Sequence, residues 1–71
     1  MIGYGWKDLE DKMLWAIVKY YPDADSRATA YEVSVFDHHG RETIAKSKTA
    51  DLALSIAIND WVNRYENTPD A

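Results

Sequence analysis

Three adjacent side chains near the middle of the chain, Asp37, His38 and His39, are of the types that bind divalent metal ions. Carboxylate oxygens and imidazole nitrogens are common ligands of catalytic metals. A metal site needs three or four ligands that converge on one ion, however, and successive side chains of an extended segment point in opposite directions. We therefore expect no bound metal here, and the sequence indicates no other cofactor.

The same triplet resembles the signature of the DHH phosphoesterases, in which aspartate and histidine side chains hold catalytic metal ions. The resemblance ends at these three residues, because those enzymes are several times longer and use further aspartate motifs that this chain lacks. It implies a metal-dependent phosphoesterase fragment at Asp37, His38 and His39 as one alternative function.

The segment from Asp37 to Gly40 also has the composition of a tight turn. The Asp37 side chain can cap the turn, and Gly40 can adopt the left-handed conformation that closes a three-residue hairpin loop. Such a loop leaves the two histidines exposed at its tip. It predicts four strand pairs, which are Asp37 with Arg41, Val35 with Thr43, Val33 with Ala45, and Glu32 with Lys46.

Other catalytic chemistry has little support in the sequence. The chain has no cysteine, and no serine lies in a Gly-x-Ser-x-Gly arrangement or at a recognised spacing from a histidine. Carboxylate pairs occur at Glu10 and Asp11 and at Asp23 and Asp25, but 71 residues leave little room for a cleft that would shift their pKa values. We therefore predict that the protein is not an enzyme.

Length and charge set further limits on the protein. The 71 residues fit one domain, and we expect it to comprise residues 1–66, followed by a flexible tail of residues 67–71. No run approaches the roughly 20 apolar residues of a membrane span, and the first residues lack the layout of a signal peptide, so we expect a cytoplasmic protein. The net charge of −4 disfavours binding to phosphate backbones.

Two segments show the apolar spacing of α-helices. Between Trp6 and Tyr21, apolar residues recur at steps of three and four, which predicts one long helix that Pro22 ends. A second helix is predicted after Thr49, which has the side chain of an N-cap residue. Its expected core side consists of Ala50, Leu54, Ala57, Ile58, Trp61 and Tyr65.

The segment between the helices predicts a β-hairpin. Residues Tyr31–Phe36 alternate between two faces, with Tyr31, Val33 and Val35 on one of them, and residues 41–47 provide the return strand. The predicted fold class is therefore α+β, in the order helix, strand, strand, helix, with two helices packed on a short antiparallel hairpin.

Both predicted helices carry more apolar side chains than a two-stranded hairpin can cover. Leu14 and Val18 form a second strip on the first helix, and Leu52 and Ile56 lie on the far face of the second. One interpretation is that the helices bury both faces against the sheet and each other. The other is that these four residues form the interface of a homodimer, which would enlarge a small core.

Nucleic-acid binding is a further alternative, through Lys46 and Lys48. A strand pair, a lysine-bearing turn and an alanine-rich helix resemble the second half of a double-stranded RNA-binding domain, and the start of a helix is a favourable place for phosphate. Three features depart from that family: no third strand is predicted, Asp51 lies in the first helical turn, and the net charge is negative.

Residues 31–62, with the sequence YEVSVFDHHGRETIAKSKTADLALSIAINDWV, resemble small phage proteins of the ABA-sandwich type, as does the acidic helix before them. The shared pattern is an aromatic strand, a short turn, an A-x-S-x-T strand end and a helix opening with ADLALSIAI. The resemblance implies a small accessory protein from a phage or another mobile element, and it assigns no catalytic residue.

Small, acidic, cysteine-free proteins of this kind resemble the anti-CRISPR proteins as a class, which implies an inhibitor that blocks a host defence protein. Carboxylates could then occupy a groove meant for a nucleic-acid backbone, with Trp15 as an apolar anchor. The expected contact residues are Asp8, Glu10, Asp11, Trp15, Asp23 and Asp25. The alternative is that these carboxylates form an ordinary solvated face.

Overall fold

The computed structural model describes residues 3–66, and the tail predicted for residues 67–71 lies outside this range. The elements are helix α1 (Trp6–Lys12), strands β1 (Trp15–Tyr20), β2 (Tyr31–Phe36) and β3 (Glu42–Ser47), and helix α2 (Ala50–Trp61). A 3₁₀ turn at Arg27–Thr29 precedes β2, and a π-helical turn at Val62–Glu66 continues α2. The three strands form one antiparallel sheet in the order β1-β2-β3.

The α+β class is confirmed, but the long first helix predicted from Trp6 to Tyr21 is wrong beyond Lys12. Met13 adopts a left-handed conformation with φ of 56° and ends α1, and the next residues form strand β1. That strand contains the β-branched residues Ile17 and Val18 between aromatic residues, a composition that favours strands. The order is therefore helix, three strands, helix rather than helix, strand, strand, helix.

The predicted hairpin between β2 and β3 is confirmed in its register and its loop. Three of the expected strand pairs are present in the register, and they are Val35 with Thr43, Val33 with Ala45, and Glu32 with Lys46. The amide of Asp37 donates to the carbonyl oxygen of Arg41 at 3.1 Å. Gly40 has a φ of 79°, the left-handed conformation that the loop requires.

Helix α2 covers the inner face of the sheet by packing on β2 and β3. Its first turn is capped as predicted, because the Thr49 hydroxyl accepts a hydrogen bond from the amide of Leu52 at 3.1 Å. The Thr43 hydroxyl ties the sheet to the helix by donating to the carbonyl oxygen of Ala57 at 2.7 Å. The largest fully buried side chains are Leu54, Ile58, Val33 and Val35.

Helix α1 has no fully buried residue, but Leu9 packs against the core, and polar contacts at the two ends of the helix reach α2 and the π-helical turn after it. The Trp6 indole N–H donates to Asp51 at 2.7 Å, and Lys12 donates to Glu66 at 2.9 Å. The hydrogen bond to Glu66 raises the pKa of Lys12 above its ordinary value. Among residues 3–66, no helix has both the length and the apolar character needed to cross a membrane.

Candidate interaction surface

The outer face of the sheet, which points away from α2, exposes a cluster of large apolar side chains. Strand pairing brings Trp15 opposite Phe36 in one row, and it aligns Ile17, Ser34 and Ile44 in the next. Trp15, Ile17 and Ile44 are between 50 and 52% exposed, and Phe36 is partly exposed. We call Trp15, Ile17, Phe36 and Ile44 the apolar quartet.

The quartet has an ordered centre. The rings of Trp15 and Phe36 stack with their centroids 6.0 Å apart and their planes 14° from parallel. Ser34 lies between Ile17 and Ile44 and is only 7% exposed, although it belongs to the outer face. The two isoleucines therefore flank and largely cover a small central residue, so the exposed surface of this row is almost entirely apolar.

A charged row borders the quartet along the sheet. Glu32 lies between two lysines, with Lys19 and Lys46 each 3.9 Å from one of its carboxylate oxygens. The hydroxyl of Tyr21 lies 3.5 Å from the same carboxylate, and the ammonium group of Lys46 lies 5.8 Å from the centre of the Tyr21 ring. The outer face therefore has this charged row at one end and the quartet at the other, where Glu42, the strand partner of Phe36, adds an exposed carboxylate.

The predicted partner-binding residues lie in two separate regions. Glu10 and Asp11 are exposed on α1, whereas Asp8 is used within the helix start, where it accepts a hydrogen bond from the amide of Gly5 at 2.7 Å. Trp15 follows α1 closely and belongs to the quartet. Asp23 and Asp25 lie in the loop after β1, beyond a six-residue strand that spans roughly 17 Å.

The four residues predicted for a dimer interface are also divided by the fold. Leu14 is 7% exposed and belongs to the chain's own core, so it offers no contact surface. Val18 is on β1, on the side of the sheet that faces α2, and it stays partly exposed. Leu52 and Ile56 are partly exposed on α2, as the helical spacing predicts.

Asp37, the first residue of the Asp-His-His triplet, is buried and fully hydrogen-bonded. Its side chain is 2% exposed, and its two oxygens accept hydrogen bonds from the amides of His39 and Arg41, the Arg41 guanidinium and the Trp61 indole. Burial raises its pKa, but these hydrogen bonds outweigh burial and hold the pKa well below the ordinary value.

His38 and His39 are exposed at the loop tip, with their ring centroids 4.1 Å apart. No group of three or more histidine, cysteine, aspartate or glutamate side chains is placed to hold a metal ion anywhere in residues 3–66. The structure thus assigns Asp37 to the turn and to the contact with α2, and it does not bring the triplet together around one point.

Three residues of the quartet, Ile17, Phe36 and Ile44, were not among the predicted contact residues. The alternation of β2 places Phe36 on the face opposite Val33 and Val35, so the face on which Phe36 lies can be predicted from the sequence. The position of Ile17 on this face cannot be predicted in the same way, because the helical spacing of the first segment assigns Ile17 to a core stripe. Comparison with protein-family models, with curated proteins and with solved structures yields no match.

Proposed function

We propose that the protein is a non-enzymatic protein-binding module that contacts its partner through the outer face of its sheet. The observation that supports this proposal most is the apolar quartet, three of whose members are about half exposed. A contiguous apolar patch beside charged groups is typical of a site for another protein. Helix α2 packs on the opposite face, so the quartet is available to a partner.

Trp15 is the expected anchor of this contact. Tryptophan is enriched among the residues that dominate binding energies, and its stacking on Phe36 holds the ring before a partner arrives. A side chain that is already ordered loses less conformational entropy on binding. Ile17 and Ile44, each about half exposed on either side of Ser34, extend the apolar contact surface beside this anchor.

In its finer form, the proposal is that the protein is a phage or mobile-element inhibitor and that the partner is a host defence protein of the CRISPR type. The net charge of −4 and the exposed carboxylates of Glu10 and Asp11, close in the chain to Trp15, support this form. Trp15 would anchor the contact while these carboxylates face a basic surface of the partner. Asp23 and Asp25 would reach a different part of it.

The quartet is tested with a double variant, Ile17→Lys with Ile44→Lys. We expect it to weaken partner binding by at least about a hundredfold, because each lysine places a charge in the centre of the contact. The matched control is Leu52→Lys with Ile56→Lys, which adds the same charge to partly exposed positions on α2. Affinity for a partner captured by the unaltered protein is measured by biolayer interferometry.

If the α2 control loses binding and the quartet variant keeps it, the proposed surface is wrong. The inhibitor form has a separate test, in which the protein is expressed in CRISPR-defended bacteria and phage plaques are counted. We expect bacteria that express the protein to give more plaques than bacteria without it. Bacteria that express the variant with both Glu10→Lys and Asp11→Lys should give fewer plaques than those with the unaltered protein. Unchanged plaque numbers across defended hosts would contradict the inhibitor form and leave the binding module to its own test.

A homodimer is a second candidate assembly, supported by the open edge of β1. The Tyr21 amide donates to the carbonyl oxygen of Ala30 at 2.7 Å, so alternation along β1 turns the backbone groups of Ala16, Val18 and Tyr20 away from β2. Antiparallel pairing of two copies about Val18 would satisfy these groups and place both quartets on one face.

Sedimentation equilibrium tests this pairing. At micromolar concentration we expect a mass of about twice the 8.1 kDa of one chain, and we expect Val18→Pro to return it to one chain by removing an edge amide. The control is Ile56→Asp, which changes an exposed apolar residue on α2 and should leave the mass unchanged. A single-chain mass at every concentration would rule the homodimer out.

Nucleic-acid binding is favoured by one new observation, the third strand. The order α1-β1-β2-β3-α2 removes one of the three departures from the double-stranded RNA-binding domains. The other two remain, because Asp51 lies in the first turn of α2 and the net charge is negative. The carboxylate of Glu32 also lies beside the Lys46 ammonium group, which weakens the attraction of Lys46 for phosphate. Protein binding is therefore the better supported proposal.

A further inference from the structure

A groove of about 470 Å³ lies between the loop that follows β1 and the segment that leads from β3 into α2. Its walls include Tyr20 and Tyr31 from neighbouring strands, Arg27 from the 3₁₀ turn, and Lys48 and Thr49 before α2. We call it the tyrosine groove. It lies at the end of β1 opposite Trp15, so it is separate from the apolar quartet.

The tyrosine groove is basic in an otherwise acidic protein. The chain has 12 acidic residues, yet none of the ten residues that line this groove is acidic. Arg27 and Lys48 form no ion pair with any carboxylate in residues 3–66. Two cations that the fold leaves unpaired in one concave site create a local positive potential suited to an anion.

Three carboxylates are close to the groove without lining it, and they belong to Asp23, Asp25 and Asp51. Asp51 lines the adjoining hollow beside Lys48 and Thr49, and its Oδ1 accepts a hydrogen bond from the Trp6 indole at 2.7 Å. Asp23 lines a different hollow, together with Lys46. Asp51 thus has a partner outside the groove, and none of the three carboxylates forms an ion pair with Arg27 or Lys48.

The groove also offers an exposed aromatic ring. The rings of Tyr20 and Tyr31 contact each other across the strands, with centroids 4.9 Å apart and planes tilted by 40°. Tyr20 is nonetheless 59% exposed, because α2 packs on β2 and β3 and does not cover this end of β1. A planar ring can therefore stack on Tyr20 while Tyr31 supports it from behind.

From this combination we infer that the tyrosine groove binds a nucleotide, with the base stacked on Tyr20 and the phosphate held by Arg27 and Lys48. Its volume falls within the range of small-molecule sites, roughly 300 to 1,000 Å³. The ligand is a free nucleotide or a nucleotide at the end of a single strand, since both carry a base beside a phosphate. This site goes beyond the proposed protein-binding function and uses no residue of the apolar quartet.

The test is an NMR titration of the full chain with AMP, followed by adenosine and ribose 5-phosphate as separate halves of the ligand. We expect AMP to shift the amide signals of residues around the groove, and each half to bind at least about tenfold more weakly. Arg27→Gln and Lys48→Gln should each weaken AMP by a similar factor. Tyr20→Ala should do the same, whereas Tyr20→Phe keeps the ring and should retain binding.

Lys7→Gln is the matched control, because it removes the same charge from an exposed position on α1. The inference is overturned if AMP causes no shifts at millimolar concentration, if Lys7→Gln weakens binding as much as Lys48→Gln, or if ribose 5-phosphate binds as well as AMP. Titration with a five-nucleotide single strand distinguishes a free nucleotide from a nucleotide at a strand end. Tighter binding than AMP, with the same variant dependence, identifies a strand end, and equal or weaker binding identifies the free nucleotide.

Discussion

Asp37→Ala is expected to lower the free energy of unfolding by about 3 kcal/mol. The variant removes the acceptor for four hydrogen bonds, and two of their donors, the Trp61 indole and the Arg41 guanidinium, come from side chains. Trp61 is only 6% exposed, so its N–H would be left buried without an acceptor. The loss also loosens the turn, because the amides of His39 and Arg41 both donate to Oδ1.

The same side chain makes stability depend on pH in a defined direction. Hydrogen bonding holds the pKa of Asp37 in the folded protein well below the ordinary value of 3.8, which it regains on unfolding. The unfolded chain therefore binds the proton more readily, and stability from Asp37 is complete above that ordinary value. It is lost progressively as the pH falls from about 4 toward the pKa of the folded protein.

Urea denaturation followed by circular dichroism measures both effects. Asp25→Ala is the matched control, since it removes the same side chain from an exposed loop position, and we expect a change below about 0.5 kcal/mol. Between pH 4 and pH 2.5, the unaltered protein should lose more stability than Asp37→Asn, which has no titrating group at this position. Equal stability losses in Asp37→Ala and Asp25→Ala would show that the hydrogen bonds of Asp37 do not hold the hairpin to α2.

Leu54→Ala is expected to cost about 3 kcal/mol, the other large effect in this chain. Leu54 is completely buried where α2 packs on the sheet, so truncation leaves a cavity among residues such as Val33 and Ile58. A domain of this length has a total stability of roughly 4 to 10 kcal/mol, which makes such a loss a large share of the whole. The variant should melt roughly 12 to 24 °C below the unaltered protein.

The control for this variant is Leu52→Ala, the same chemical change two residues earlier on the same helix. Leu52 is 43% exposed, so we expect a loss below about 1 kcal/mol. Thermal and urea unfolding of the two variants give the comparison directly. Similar losses in both would mean that α2 does not present its Leu54 side to the sheet.

The hairpin and the second helix were predictable because their signals are local. Asp37 and Gly40 dictate the loop through side-chain capping and a positive φ, and the loop length then sets the register of both strands. Thr49 caps α2 through a contact with Leu52, three residues along the chain. These interactions lie within a few residues, so one sequence suffices to recognise them.

Strand β1 was not predictable in the same way. The segment from Trp15 to Tyr20 contains apolar residues at spacings that fit a helical stripe and also fit a strand with both faces apolar. Its hydrogen bonds go to β2, which lies beyond the loop of residues 21–30. Pairing between segments so far apart in the chain is decided by tertiary contacts, which override the local helical spacing of this segment.

This difference also explains which surfaces could be inferred. The sequence by itself determined the charge of the protein, its hairpin register, the capped second helix and the exposure of the two histidines, because each depends on composition or on neighbours along the chain. Only the tertiary structure decided that Ile17 joins Trp15 on an open sheet face, and that Arg27 and Lys48 meet two tyrosines in one groove. Both arrangements depend on β1 pairing with β2, which brings together side chains that no spacing along the chain relates.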